Sequence, residues 1–146
     1  MEVNLKVKKL KNNAIIPTRG SVLASGLDLY ALEDTEILPG KTKAVSTGIA
    51  FQIPLGYEIQ VRPRSGLSLK TNLRISNSPG TVDMDYLGEC CVIMTNIGIE
   101  NTEKIKAGDR IAQAVLCPVI IPELTEVEEF DIETKRGTAG FGSTGV

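Results

Sequence analysis

Pro54-Leu-Gly-Tyr-Glu-Ile-Gln-Val-Arg-Pro-Arg-Ser-Gly-Leu-Ser-Leu-Lys-Thr71 is the stretch that decides the fold. A turn signal at Pro54-Leu-Gly56 precedes Tyr57, Ile59 and Val61, which alternate with polar residues in the period-two pattern of a strand with one face in a core. Beyond Ser65, a capping-type residue, Gly66 to Thr71 fits one short helical turn whose first N–H groups point toward an anion. The same alternation occurs upstream at Val3, Leu5 and Val7, and again at Leu27, Leu29 and Ala31. Further turn signals at Pro39-Gly40, Ser78-Pro-Gly80 and Ala107-Gly-Asp109 have the spacing of an antiparallel sandwich, jelly roll or barrel, with no alternating strand–helix rhythm. Two apolar runs, Glu89 to Asn96 and Ile111 to Val119, predict central strands buried on both faces, and Val127 to Lys135 reads as an extended connector. The chain is predicted to be all-β.

Composition narrows the chemistry. At 146 residues with 42% hydrophobic content the chain fits one domain with one core. Sixteen basic residues against 18 acidic ones, a net charge of -2, give no bulk attraction to nucleic acid or an anionic membrane, so any anion must be bound locally. No apolar run is long enough to span a bilayer, and Met1 to Lys9 alternates rather than forming a signal core, so a soluble, intracellular and cytoplasmic protein is expected. The sequence contains no histidine, which excludes Ser-His and Cys-His catalysis and removes the commonest zinc ligand. Cys90, Cys91 and Cys117 lack a metal-type or disulfide-type spacing and are expected to be buried strand thiols. Catalysis in such a chain calls for a carboxylate base and a hard cation such as Mg²⁺, held through oxygens and a phosphorylated substrate.

Five segments carry more glycine and more functional groups than strand connections require. Ala24-Ser-Gly-Leu-Asp-Leu29 and Gly108-Asp-Arg-Ile-Ala-Gln113 are each compatible with a simple turn. Arg62-Pro-Arg-Ser-Gly-Leu67 is a better anion site, with a guanidinium, a hydroxyl and a backbone N–H at a helix start. In Asn77-Ser-Pro-Gly-Thr-Val-Asp-Met-Asp-Tyr86, Gly80 permits a tight bend, and Asp83 and Asp85 are placed on one strand face, where like charges suit holding a water, a metal or a sugar hydroxyl. A solvated loop with a tyrosine over the core is the bland alternative. The tail, Arg136-Gly-Thr-Ala-Gly-Phe141-Gly-Ser-Thr-Gly-Val146, combines a phosphate-matching fork with glycines and a ring able to cover something flat; otherwise it is a loose glycine-rich terminus.

Taken in order, these segments resemble the five motifs of the homotrimeric dUTP pyrophosphatases (dUTPases), from about Ala24 to Gly145. The resemblance implies a β jelly roll over residues 1–135, a C-terminal arm over residues 136–146, and a homotrimer whose sites borrow from all three chains. It implies Asp83 as the general base for water attack on the α-phosphorus of dUTP, giving dUMP and pyrophosphate. Tyr86 is then the residue that refuses a 2′-hydroxyl, Asn77 and the backbone of Gly80, Thr81 and Val82 read uracil, and Cys91 lies near the base with only its backbone in use. Arg64, Ser65, Gly66 and Gln113 grip the phosphates, Asp28 acts on Mg²⁺ through water, Arg136 meets the γ-phosphate, and Phe141 with Gly142 closes over the base. Leu87, where the family usually has arginine or another polar residue, and Ala139, where the arm usually has glycine, depart from the pattern. Two alternatives share these features, a dCTP deaminase-like enzyme of the same fold and a non-catalytic nucleotide-sensing trimer. The FGSTG arm argues against the first, and intact Asp83, Gln113 and Arg136 against the second.

Overall fold

Alternation becomes strand around Leu27, Leu29, Tyr57, Ile59 and Val61, and at the N-terminus only from Lys6 on, in the computed structural model, which describes residues 3–140. In chain order the elements are β1 (Lys6–Lys9), β2 (Thr18–Arg19), β3 (Leu27–Tyr30), β4 (Thr35–Ile37), β5 (Thr42–Val45), β6 (Ile49–Gln52), β7 (Tyr57–Arg62), α1 (Ser65–Lys70), β8 (Leu73–Ile75), β9 (Gly80–Val82), β10 (Val92–Asn96), β11 (Glu103–Ile105) and β12 (Arg110–Pro118). The largest sheet runs β2-β3-β12-β7-β9; β5-β10-β8 forms a second, and β1-β6 and β4-β11 are paired strands. Every pairing is antiparallel. Leu29, Ile37, Ile49, Ile59, Leu73, Met94 and Ile111 meet in one core, each less than 2% exposed. An all-β fold is what the alternation required.

Two strand expectations need correction. β10 is central in its sheet but not buried on both faces, since Ile93 is 39% exposed while Val92, Met94 and Asn96 are buried. Its apolar run mimics a doubly covered strand although only alternate residues reach the core. The cysteines also differ from expectation: Cys90 is buried in the loop before β10, Cys91 is exposed, and Cys117 is half-buried in β12. Burial pushes the Cys90 thiol up to about 12, which leaves it an inert packing group.

β12 comes nearer to its expectation, with Ile111, Ala112, Ala114 and Val115 buried, but its second face is not core either: Gln113 and Cys117 are half-buried opposite Arg62 and Glu58. Its register slips against β3 between Arg110 and Ala112, so two residues there oppose one. That bulge matters for the site. In a regular strand Arg110 and Gln113, three apart, would project from opposite faces, and one extra residue brings them onto the same one. Downstream of β12, residues 120–140 contain no strand or helix and are exposed, with Ile120, Leu124 and Phe130 each more than four-fifths uncovered. No helix among the described residues is long and apolar enough to cross a membrane.

Glu89 pins the loop between β5 and β6. Its carboxylate accepts from the Thr47 N–H at 3.1 Å, the Gly48 N–H at 2.7 Å and the Ser46 hydroxyl, while Thr47 Oγ1 donates to the Cys90 carbonyl at 2.7 Å. Gly48 sits at φ +68°, and a Cβ there would lie 2.8 Å from the Ala14 side chain, so this position demands glycine twice over. Partial burial works to raise the Glu89 carboxyl, but donation from Ser46, Gly48 and Thr47 outweighs it and holds the group below its ordinary value of 4.5. A native value below the unfolded one stabilises the fold above pH 4.5, and that stabilisation is lost as pH falls through the native value. Glu89→Gln is expected to cost about 1–3 kcal/mol at pH 7. Urea unfolding at fixed protein concentration should show the gap to wild type shrinking below pH 4, and a gap independent of pH would show that the charge is not what holds the loop.

Candidate active site

Asp28 on β3, Gln113 on β12 and Arg62 on β7 are register partners across the large sheet. Asp28 turns away from the core because its neighbour Leu29 turns into it. From Arg62, whose own guanidinium bonds to Gln60, the chain passes through Pro63 to Arg64, the residue before α1, which brings a guanidinium to Asp28. Arg64 Nε donates to Asp28 Oδ1 at 2.9 Å, Arg110 Nη1 lies 3.5 Å from Oδ2, and Arg64 Nη1 donates to the Arg110 carbonyl at 3.4 Å. The Asp28 side chain is 13% exposed, against 52% for Arg110. Asp28, Arg64, Ser65, Gly66, Arg110 and Gln113 line a depression of about 220 Å³ together with Gly20, Ala24 and Gly26. Two guanidiniums, helix-start N–H groups and a primary amide around one carboxylate make an anion site with a local excess of positive charge.

Gly26 is there for space and not for a turn. A Cβ on it would come within 2.9 Å of the Gln113 Cβ and overlap the amide of the same side chain, whose Nε2 donates to the Pro63 carbonyl at 3.0 Å. The helix differs slightly from expectation. It begins at Ser65 with Arg64 as its extended N-cap, and no side chain caps it, which leaves its first N–H groups and the exposed Ser65 hydroxyl facing the depression.

Asp83 stands elsewhere. It lines a separate depression of about 350 Å³ with Gly56, Tyr57, Glu58, Met84, Asp85, Val119 and Ile121, at the start of β7, whereas the Asp28 cluster lies past the end of that strand. From Glu58 to Arg62 alone the strand covers roughly 13 Å at 3.3 Å per residue. Asp83 and Asp85 do not share a strand face: the strand stops at Val82, and the Tyr86 N–H closes a turn onto the Asp83 carbonyl at 3.1 Å. Gly80 is likewise not the bend itself. It opens β9 opposite Val61, where a side chain would press within 3.2 Å of Asn77 Nδ2 and 3.3 Å of Val61 Cβ, and the Ser78–Pro79 peptide before it is cis. Thr81 and Val82 follow in β9, an edge strand whose outer row of backbone groups has no strand partner among the described residues. Tyr86 folds back over Gly88 and its hydroxyl donates to the Glu89 carbonyl at 3.1 Å. Cys91 is exposed at the approach to β10.

Arg136 lies in an exposed turn, its Nε donating to the Ala139 carbonyl at 2.8 Å. Phe141 and Gly142 fall outside the described residues. Reading the sequence missed Arg110 and Glu58. The Arg-x-x-Gln spacing of Arg110 and Gln113 was the available signal, since those residues share a face only if the strand is bulged. Among the described residues no group of three or more His, Cys, Asp or Glu is arranged to hold a metal ion. The lone Asp28 between guanidiniums therefore suits a cation carried on phosphate oxygens, not one caged by protein.

The dUTPase family model matches residues 12–145. The deoxyuridine 5'-triphosphate nucleotidohydrolase of Nautilia profundicola is 50% identical over 143 residues, covering 98% of this chain and 99% of the relative. That of Wolinella succinogenes is 51% identical over 144 residues, covering 99% and 95%. Among solved structures, the Staphylococcus bacteriophage 80alpha dUTPase with dUPNHPP superposes with a TM-score of 0.87 at 32% identity, covering 98% of this chain and 99% of that one. A mutant dUTPase of phage phi11 of S. aureus, described with a structural Mg(II) ion, gives 0.83 at 30% identity over 88% and 99%.

Gly26→Ala tests the anion depression on its own. The added carbon must push Gln113 off Pro63, so binding of inorganic tripolyphosphate, followed by titration calorimetry, is expected to weaken about tenfold, or 1.4 kcal/mol, with cooperative unfolding retained. Unchanged affinity would remove Gln113 from any phosphate contact.

Proposed function

The chain belongs to the dUTPase family and hydrolyses dUTP to dUMP and pyrophosphate, and from that premise we propose that its active site is assembled between copies of the chain, with Asp83 as the base. The observation that carries this reading is the separation of Asp83 from the Asp28, Arg64 and Gln113 cluster by most of the length of β7. A triphosphate gripped at one depression cannot present its α-phosphorus to the Asp83 of the same chain, but it meets the Asp83 of another copy packed against it. A homotrimer fits the apolar residues left uncovered in one protomer, among them Ile120, Ile121, Leu124 and Phe130, which need a neighbour to bury them. In this reading residues 1–135 form the core and residues 136–146 an arm that reaches a neighbouring site.

Within such a site each residue is assigned a task. The outer edge of β9 at Gly80, Thr81 and Val82, with Asn77 beside it, offers fixed donors and acceptors to uracil much as a strand would to its partner, and Cys91 is assigned a backbone contact to the same base. Cytosine presents the wrong pattern there, and leaving polar groups unpaired is what makes refusal strong. Tyr86, pressed on Gly88, sits as a floor beneath the deoxyribose with no room for a 2′-hydroxyl. Asp83 accepts the proton of a water aligned for attack on the α-phosphorus; the new P–O bond forms as the bond to the bridging oxygen breaks and pyrophosphate departs. Arg64, Ser65, Gly66 and Gln113 hold the phosphates, Arg136 meets the γ-phosphate, and Phe141 with Gly142 covers the base. When bound, Mg²⁺ neutralises phosphate charge and fixes the triphosphate in one reactive conformation, and Asp28 is the residue that meets its water shell.

Pyrophosphate release should be far faster with dUTP than with dCTP, dTTP or UTP, and should require Mg²⁺; comparable kcat/KM for UTP would sink the role of Tyr86. Asp83→Asn is expected to lower kcat by roughly 10² to 10⁴ with dUTP still bound. Co-refolding equal amounts of Asp83→Asn and a chain lacking residues 136–146, each inactive alone, should restore about one quarter of the sites, because each half of a shared site is intact half the time in random trimers. No recovery in mixed trimers confirmed by mass would mean that one chain supplies both parts.

A further inference from the structure

The Asp28 carboxylate is fully engaged before any substrate arrives. One oxygen takes the Arg64 guanidinium and the other faces Arg110, so a single negative charge is flanked by two positive ones. Asp109, next in sequence, does not relieve this balance, since its Oδ2 accepts the Lys106 N–H at 2.8 Å. A bare divalent cation approaching Asp28 therefore meets net repulsion, and no second carboxylate is among the described residues that line the depression.

The two guanidiniums are not equivalent. Arg64 is carried on the loop into α1, with helix-start N–H groups beside it, where a polyphosphate would compete for it. Arg110 is fixed from the opposite side by the β12 bulge. A polyphosphate of several negative charges would compete with Oδ1 for Arg64 and reverse the sign of the local field, whereas Arg110, on the other side, would still face Oδ2.

Resting on the reading that Asp28 serves the substrate's metal, we propose that Arg110 is a positioning residue that keeps Asp28 closed to a free divalent cation and holds its carboxylate oriented once Arg64 has moved to the phosphates, so that the cation enters only with the nucleotide.

The test uses the full chain and Mn²⁺ alone, with bound ion read from the loss of the free-ion electron paramagnetic resonance signal. Wild type without nucleotide should bind Mn²⁺ only weakly, and a non-hydrolysable dUTP analogue should make binding tight. Arg110→Gln should bind Mn²⁺ without nucleotide about tenfold or more tightly than wild type, for loss of one repelling charge at contact range. Arg110→Lys, which keeps the charge, should stay near wild type, and Asp28→Asn in the Arg110→Gln background should abolish the gain. Should Arg110→Gln fail to unfold cooperatively in thermal melts, the wild-type, Arg110→Lys and Asp28→Asn titrations decide. Wild-type binding of Mn²⁺ alone that is as tight as with nucleotide and is lost in Asp28→Asn overturns the proposal, as does a gain in Arg110→Gln that survives Asp28→Asn. Because this readout needs no turnover, wild type that hydrolyses dUTP yet binds Mn²⁺ alone at Asp28 would sink the inference and leave the proposed activity standing.

Discussion

The site depends on one irregularity in one strand. β12 runs through the middle of the large sheet with Ala112, Ala114 and Leu116 on its core face and Gln113 on the other, level with Asp28 and Arg62. Without its bulge against β3, Arg110 would fall on the core face. Ile111 and Ala112, consecutive residues, are 1% and 0% exposed, so the chain inserts two apolar residues in succession and emerges with its phase reset. Arg110 then lies on the same side as Gln113, and both reach the depression around Asp28. Deleting one residue at this point would return Arg110 to the opposite face and leave Asp28 with Arg64 alone.

Around that strand the fold places its chemistry at sheet boundaries. Asp28 and Gln113 stand where β3, β12 and β7 align, and Arg64 follows directly from the end of β7. The other half of the chemistry belongs to β9, the last strand of the same sheet, and to the turn after it. An edge strand left open invites another chain, which is a hazard in a monomer. In the proposed assembly, a ligand that hydrogen-bonds like a strand edge would turn that liability into recognition.

Much of this was legible in the sequence, and the parts that were not share a cause. Period-two alternation located β1, β3 and β7, and the capping-type stretch after Ser65 located α1, because these signals are local. The apolar run ending in β10 misled, since Ile93 points outward in a strand whose burial only tertiary pairing decides. Glycines were read by their freedom of φ, yet Gly26 and Gly80 are needed for the close approach of Gln113, Asn77 and Val61, and that is a fact of packing between segments far apart in the chain. Asp83 and Asp85 were placed on one strand face by their spacing, but the strand ends at Val82. Arg110 was passed over because its partner, Asp28, lies 82 residues earlier.

Without histidine, the division of labour between carboxylates has to come from their neighbours. Asp28 and Asp83 are chemically the same group in opposite surroundings. Asp28 is nearly enclosed and faces two guanidiniums, a setting suited to ordering charge. Asp83 is exposed, forms no ion pair among the described residues, and shares its depression with Glu58 and Asp85 and no cation. A water held there meets a carboxylate with lone pairs uncommitted. The positive depression around Arg64 and Arg110 and the negative one around Asp83 are complementary in charge, and bringing them together requires a second copy of the chain. In the site proposed above, that complementarity would give the copies an electrostatic reason to meet in the orientation that completes it.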